Sequence, residues 1–141
     1  MSLVRFAPRA DSLDQAGATF AFAKATEGLD YVDSSFGANM KGMRTENFSP
    51  RGYYHFGHPN ESASLQAAHF CKTVGTLQAE EVAVLDIEAS DGVHPDQVAQ
   101  WSKDFVDGVM SRLGLPASRV FVCQPTPTPI LQLPFRNAPC A

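Results

Sequence analysis

Val82-Ala83-Val84-Leu85-Asp86-Ile87-Glu88 is the stretch whose reading decides the fold. It is short, almost entirely apolar up to Asp86, and ends on two acidic residues separated by one isoleucine. A run of this kind over residues 82–87 fits a parallel β-strand covered on both faces. Similar short runs lie on either side. Residues 19–23 (TFAFA), 53–56 (YYHF) and 119–123 (RVFVC) read as three further strands. Helical patterns separate them. Pro95 suits the first position of a helix, Val98, Trp101, Phe105, Val109 and Leu113 recur at spacings of three and four, and Gly114 and Pro116 end the pattern. Over residues 60–74, Ala63, Ala67, Phe70 and Val74 line one face, with Ser62 as cap and Gly75 as terminator. Asp33 offers a cap to a third helix carrying Phe36, Met40 and Met43, and Ser49-Pro50-Arg51-Gly52 is a turn. The resulting order β-α-β-α-β-α-β predicts an α/β fold with a parallel sheet or barrel.

Both ends lack this alternation. Residues 1–10 are unpatterned, and residues 124–141 (QPTPTPILQLPFRNAPCA) hold five prolines without periodicity, which predicts a poorly ordered tail. The 141 residues suit one domain, and the 44% hydrophobic and 18% charged content allows a core of ordinary size. No apolar run approaches the roughly 20 residues of a membrane span. The N-terminus shows no apolar block of signal-peptide length, so the chain as written is expected in the cytoplasm. The net charge of −4 and the absence of a Lys/Arg cluster argue against nucleic acid as partner. Cys71, Cys123 and Cys140 are odd in number, widely spaced and without a CxxC pair, and read as plain thiols.

The chemistry centres on Asp86 and Glu88. Side chains at i and i+2 leave a strand on the same face, with Cα atoms roughly 6–7 Å apart. The C-terminal end of a parallel strand is where α/β folds place their sites. Like charges held close raise one pKa, so one carboxyl can keep its proton while the other stays ionised, which is the pairing that glycosidic cleavage requires. Two solvated acids at a strand end is the competing structural reading, and spacing alone does not choose between them. Lys24 and Glu27, after the TFAFA strand, are read either as groups that position a substrate or as an ordinary strand-end ion pair. Tyr54 and Phe56 face one side of their strand and Tyr53 and His55 the other, so Tyr54 is either a sugar-stacking wall or core packing. His55 and His58 alone do not make a metal site, since no further Cys, His or Asp stands at ligand spacing. No GxSxG elbow, P-loop or GxGxxG occurs.

Taken together, GATFAFAKATEG with Tyr31 and Asp33 after it, RGYYHFGHP, QAAHF and VLDIEASDG resemble glycoside hydrolase family 25, in order and at family-like spacing from about Asp14 to about Val122. The helix with Trp101 and Phe105 also fits. The resemblance implies an irregular, TIM-like (β/α) barrel. It implies a lysozyme or N-acetylmuramidase that cleaves the β-1,4 bond between N-acetylmuramic acid and N-acetylglucosamine in peptidoglycan without metal or organic cofactor. By the same resemblance Glu88 corresponds to the general acid and Asp86 to its carboxylate partner. Tyr54 matches an active-site aromatic, and Lys24 and Glu27 match the loop of the family's second strand. On this basis residues 11–123 are a partial catalytic domain, residues 1–10 an irregular N-terminus and residues 124–141 a proline-rich tail; a monomer is expected.

The chain also departs from the family. The first strand of the family carries an Asp in a DVS-like motif, and Leu3-Val4-Arg5-Phe6-Ala7-Pro8 stands there instead. Later strands, one with a further active-site Asp, give way after Val122 to the proline-rich tail, and Cys123 stands where a tyrosine is usual. Shifted reading frames or misassigned exons would produce such ends. A complete barrel takes roughly 200–250 residues, so an incomplete barrel with an open sheet edge is expected. Members of the family are typically secreted, which contrasts with the cytoplasmic location expected above. Two functions follow: an active muramidase, or an inactive fragment that retains at most glycan binding.

Overall fold

The computed structural model describes residues 20–124, together with the backbone of a strand at Asn137–Pro139. Strand β1 is Ala21–Glu27, β2 Tyr31–Val32, β3 Arg51–Phe56, β4 Glu81–Asp86, β5 Val120–Gln124 and β6 Asn137–Pro139. Helix α1 spans Phe36–Thr45, α2 Ala63–Val74 and α3 Pro95–Leu113, and a 3-10 turn at Ala117–Arg119 leads into β5. The six strands form one sheet in the order β2-β1-β3-β4-β5-β6, parallel throughout except for the β1–β2 pair.

The order explains the layering. From β1 to β3, β4 and β5 each crossover steps one strand in the same direction, and right-handed crossovers that never reverse leave all their helices on one face of the sheet. That is the arrangement of a barrel wall, and the predicted α/β class with alternating helices is what the structure has. The buried face carries Ala21, Ala23, Tyr53, His55, Ala83, Leu85, Ile87, Val120 and Val122 against Phe36 and Met43 of α1, Phe70 of α2 and Trp101, Phe105 and Val109 of α3. Trp101 stacks on Phe105 at 5.6 Å between centroids, and Phe105 stacks on His55 at 4.9 Å, so α3 is keyed to the middle of the sheet by a column of rings. Helices α2 and α3 approach closely at Gly108, where an added Cβ would lie 3.0 Å from the Cβ of Ala67.

Local chemistry sets the helix ends. Ser62 Oγ accepts from Leu65 N at 3.2 Å and begins α2. Pro95 opens α3 after His94, whose Nδ1 accepts from Asp96 N at 3.2 Å, and Gly114 ends it at φ 63°. Helix α1 starts later than the sequence predicts. Asp33 does not occupy its N-cap; its carboxylate accepts from Ser35 N at 2.9 Å in a turn before the helix, and Ser35 stands at the cap.

A second buried network anchors the opposite, N-terminal end of the strands. Glu81, fully buried, accepts from Arg44 Nε at 2.8 Å and Nη2 at 2.6 Å, from Arg51 Nε at 3.2 Å, from Gln78 N at 2.8 Å and from the Tyr53 hydroxyl. Burial opposes ionisation of Glu81, but these donors outweigh it and hold the carboxyl at about 2. Arg119 closes the same end, donating from Nη2 to the carbonyls of Gln78 at 2.6 Å and Glu81 at 2.9 Å.

Two features were not in the sequence pattern. Strand β2 makes a hairpin back onto the end of β1, and β6 pairs with β5 inside the stretch expected to be irregular, with Gln124 opposite Pro139. A proline is compatible with such an edge strand. The rest of that expected tail, like residues 1–10, lies outside the described residues. Cys71 is free and buried, and burial pushes its thiol up to about 11; Cys123 is disulfide-bonded, so the reading of all cysteines as plain thiols does not hold. Spacing carried no signal for that bond. No helix among the described residues is long and apolar enough to cross a membrane.

Candidate active site

Parallel pairing places Lys24, Tyr54, Val84 and Phe121 in one cross-strand row and Glu27, Phe56, Asp86 and Cys123 in a second, two residues further toward the C-terminal end on β3, β4 and β5. The second row therefore draws together the ends of β1, β3, β4 and β5. Tyr53 and His55 point into the helix layer, so Tyr54 and Phe56 project from the opposite face. Ala83, Leu85 and Ile87 are likewise buried against the helices, and the ladder continues past β4, with Ile87 N donating to Cys123 O at 2.9 Å. By alternation Asp86 and Glu88 leave on the face of Tyr54 and Phe56. Asp86 is 2% exposed, whereas Glu88 is exposed, so the two carboxyls that the sequence singled out sit in unlike environments.

Lys24 and Glu27 join this face through an irregularity. The register with β3 shifts between Lys24 and Thr26, a β-bulge at Ala25. Without it, residues three apart would point to opposite faces; with it, Lys24 Nζ donates to Glu27 Oε1 at 2.6 Å. The ammonium also lies 5.2 Å from the centroid of the Tyr31 ring and 5.4 Å from that of Phe56. Burial works against the charge on Lys24, but the Glu27 bond more than compensates and raises its pKa; the hydrogen bond from Lys24 is in turn the chief reason that the Glu27 pKa is lowered. Both groups are charged at neutral pH.

The chain of charges continues beyond the residues that the sequence identified. His58 Nε2 lies 3.2 Å from Glu27 Oε2, and its Nδ1 lies 3.0 Å from Asp91 Oδ2. Desolvation alone would lower the His58 pKa, but these two carboxylates raise it. Asp91 belongs to a turn after β4, at φ 50°. In the sequence His58 stands out only as a candidate metal ligand beside His55. The structure separates the two rings: His55 is buried in the helix layer, its Nδ1 2.7 Å from Thr26 Oγ1 and its Nε2 2.9 Å from Gln66 Oε1. Gln66 Oε1 also accepts from His58 N at 3.1 Å, so it is an acceptor, and His55 is the neutral tautomer with its proton on Nε2. A stronger hint of His58 in the sequence would have been its place two residues past a strand end, where loop residues reach the mouth of a parallel sheet.

The sequence matches the model of the glycosyl hydrolases family 25 over residues 9–118. The chain belongs to that family. It is 43% identical over 88 residues to protein YegX of Escherichia coli (strain K12), an alignment that covers 60% of this chain and 32% of that protein. It is 36% identical over 104 residues to lysozyme M1 of Streptomyces globisporus, covering 67% of this chain and 35% of the lysozyme. The fold is similar to the crystal structure of the bacterial lysozyme from Streptomyces coelicolor, with a TM-score of 0.73 and 28% identity over 86% of this chain and 62% of that one. The chain thus spans about a third of the length of these two curated relatives. The family 25 membership accounts for the irregular barrel wall and for the order of the segments around Lys24, Tyr54 and Asp86.

Proposed function

We propose that this family 25 chain serves lysozyme-type hydrolysis of peptidoglycan, cleaving the β-1,4 bond between N-acetylmuramic acid and N-acetylglucosamine. The observation that carries the reading is that β4 ends on Asp86 at the C-terminal end of the parallel sheet, paired with Phe56 of β3, with the exposed Glu88 two residues further on. Glu88 gives its proton to the leaving oxygen as the bond to the anomeric carbon breaks. Asp86 remains a carboxylate and stabilises the oxocarbenium-like charge, and water completes the hydrolysis. Tyr54 and Phe56 offer aromatic surface beside the acids, while Lys24 and Glu27 present charged hydrogen-bonding groups to a sugar. The similarity to proteins called lysozymes supports this assignment.

Turbidity loss of a bacterial cell-wall suspension tests it. Glu88→Gln keeps the shape of the side chain and removes the acid, and is expected to slow clearing by about 10² or more. Equal clearing by wild type and Glu88→Gln would sink the assignment. Binding to insoluble peptidoglycan with no clearing by either protein would select the inactive, glycan-binding alternative.

A further inference from the structure

His58 joins three strand ends in a way that its own strand does not require. Its backbone is fixed first: the Gln66 side chain from α2 accepts from His58 N at 3.1 Å and donates to His58 O at 2.8 Å. The ring lies against Phe56 at 5.5 Å between centroids. From that platform the two ring nitrogens reach carboxylates on different elements, Glu27 at the end of β1 and Asp91 in the turn after β4. Only the doubly protonated ring donates to both at once. Each carboxylate is itself held. Glu27 is bonded to Lys24, and Gly28 N donates to Phe56 O at 3.1 Å. Asp91 occupies the left-handed region, where a short polar side chain is tolerated, in a turn closed by Val93 N donating to Ser90 O at 2.9 Å. The segment between Asp86 and this turn contains Glu88.

We propose that His58 is a positioning residue, whose imidazolium clasps Glu27 to Asp91 and thereby holds the 87–92 segment with Glu88 at the mouth of the sheet. The inference rests on the hydrolase reading above for its catalytic consequence, but not for the clasp itself. The charged and titratable groups around His58 are Lys24 and Glu27 from β1, His55 from β3, Glu61 from its own loop and Asp91 from the turn after β4. His55 is neutral, Lys24 is spent on Glu27, and the remaining three are acidic, so the surroundings favour the charged ring. Loss of that proton removes one of the two donors and releases Glu27 or Asp91.

Two measurements decide the matter. The first compares the pH profile of kcat/KM on solubilised peptidoglycan for wild type, His58→Gln and His58→Arg. The guanidinium keeps its charge and several donors at all accessible pH, so His58→Arg is expected to retain activity at acid pH and to lose the part of the alkaline decline that follows His58. His58→Gln is expected to lower kcat roughly tenfold at acid pH with a smaller change in KM, as displacement of a reacting group does. One common alkaline limb for all three proteins overturns the proposal. The second reads the clasp without activity: NMR titration of the His58 ring in wild type and Asp91→Asn, with amide exchange at residues 88–92. The proposal expects the ring to titrate lower in Asp91→Asn, and exchange at residues 88–92 to quicken as His58 loses its proton. An unmoved titration, or exchange indifferent to it, overturns the clasp. If wild type hydrolyses nothing, the function assigned above fails and this second measurement alone decides the clasp.

Discussion

Lys24 and Glu27 share one face of β1 because the strand bulges at Ala25, and the 2.6 Å ion pair between them exists only by virtue of that extra residue. The bulge turns a sequence separation that would split the two groups into a charged edge beside Phe56 and Tyr31. It also sends Thr26 inward, where its hydroxyl meets His55. Irregularities of this kind at sheet mouths re-aim side chains toward sites.

Glu27→Gln should therefore affect activity more than stability. The pair is partly exposed, and such ion pairs are worth about 0–1 kcal/mol. Urea unfolding is expected to show a change within that range. Hydrolysis is expected to fall roughly tenfold, since Lys24 and His58 both lose the carboxylate that orients them. A large loss of stability with unchanged activity per folded molecule would contradict the placing of Glu27 at the site.

His55 predicts a pH dependence of folding. Desolvation is the main cause of its lowered pKa, about 4 against an ordinary 6.5. The unfolded chain takes up this proton near pH 6.5 and the folded chain only near pH 4. Stability conferred by the neutral ring is thus complete above the upper value and is lost as pH falls through that window, by roughly 3 kcal/mol in all. His58 has the opposite sign: its raised pKa gives stability below 6.5 that is lost as pH rises. Urea midpoints taken across this range should fall on acidification in wild type. In His55→Asn, less stable at neutral pH, they should fall much less. A wild-type midpoint that is flat from pH 6.5 to 4 would refute the assigned state of His55.

The Glu81 network predicts where the fold breaks. Tyr53→Phe removes one donor and leaves Arg44 and Arg51 in place, at an expected cost of about 1–3 kcal/mol in chemical denaturation. Glu81→Gln leaves two guanidinium groups without their anion and should cost more, about 3–5 kcal/mol. Because Glu81 sits at about 2 against an ordinary 4.5, its contribution is present above the ordinary value and is lost as pH falls between the two. Both substitutions should leave activity per folded molecule intact, since the network lies at the end of the strands away from Asp86.

Much of this was readable from the chain. Strand β4 announced itself by an apolar run that stops at an acid, and α3 by apolar residues at three and four between a proline and a glycine. The i, i+2 rule predicts Asp86 and Glu88 on one face, and the alternation of Tyr53, Tyr54, His55 and Phe56 matches the burial of Tyr53 and His55 in the helix layer. Other features leave no periodic trace. A single-residue bulge at Ala25 does not alter a pattern of small apolar residues. The two residues of β2 and the three of β6 are too short to show alternation. The role of His58 depends on Glu27 and Asp91, 31 and 33 positions from it, and such pairings are set by strand order. Nothing in the pattern around Glu80 and Glu81 marks the second as buried; only the arrival of Arg44, Arg51 and Tyr53 makes it a hub.

Chemical analysis of the fragments released from purified peptidoglycan tests the central claim most directly. If Glu88 and Asp86 act as described, wild type releases fragments whose new reducing ends are N-acetylmuramic acid, and Glu88→Gln, with an unchanged circular dichroism spectrum, releases almost none. Reducing ends of N-acetylglucosamine, or equal amounts of product from both proteins, would contradict it.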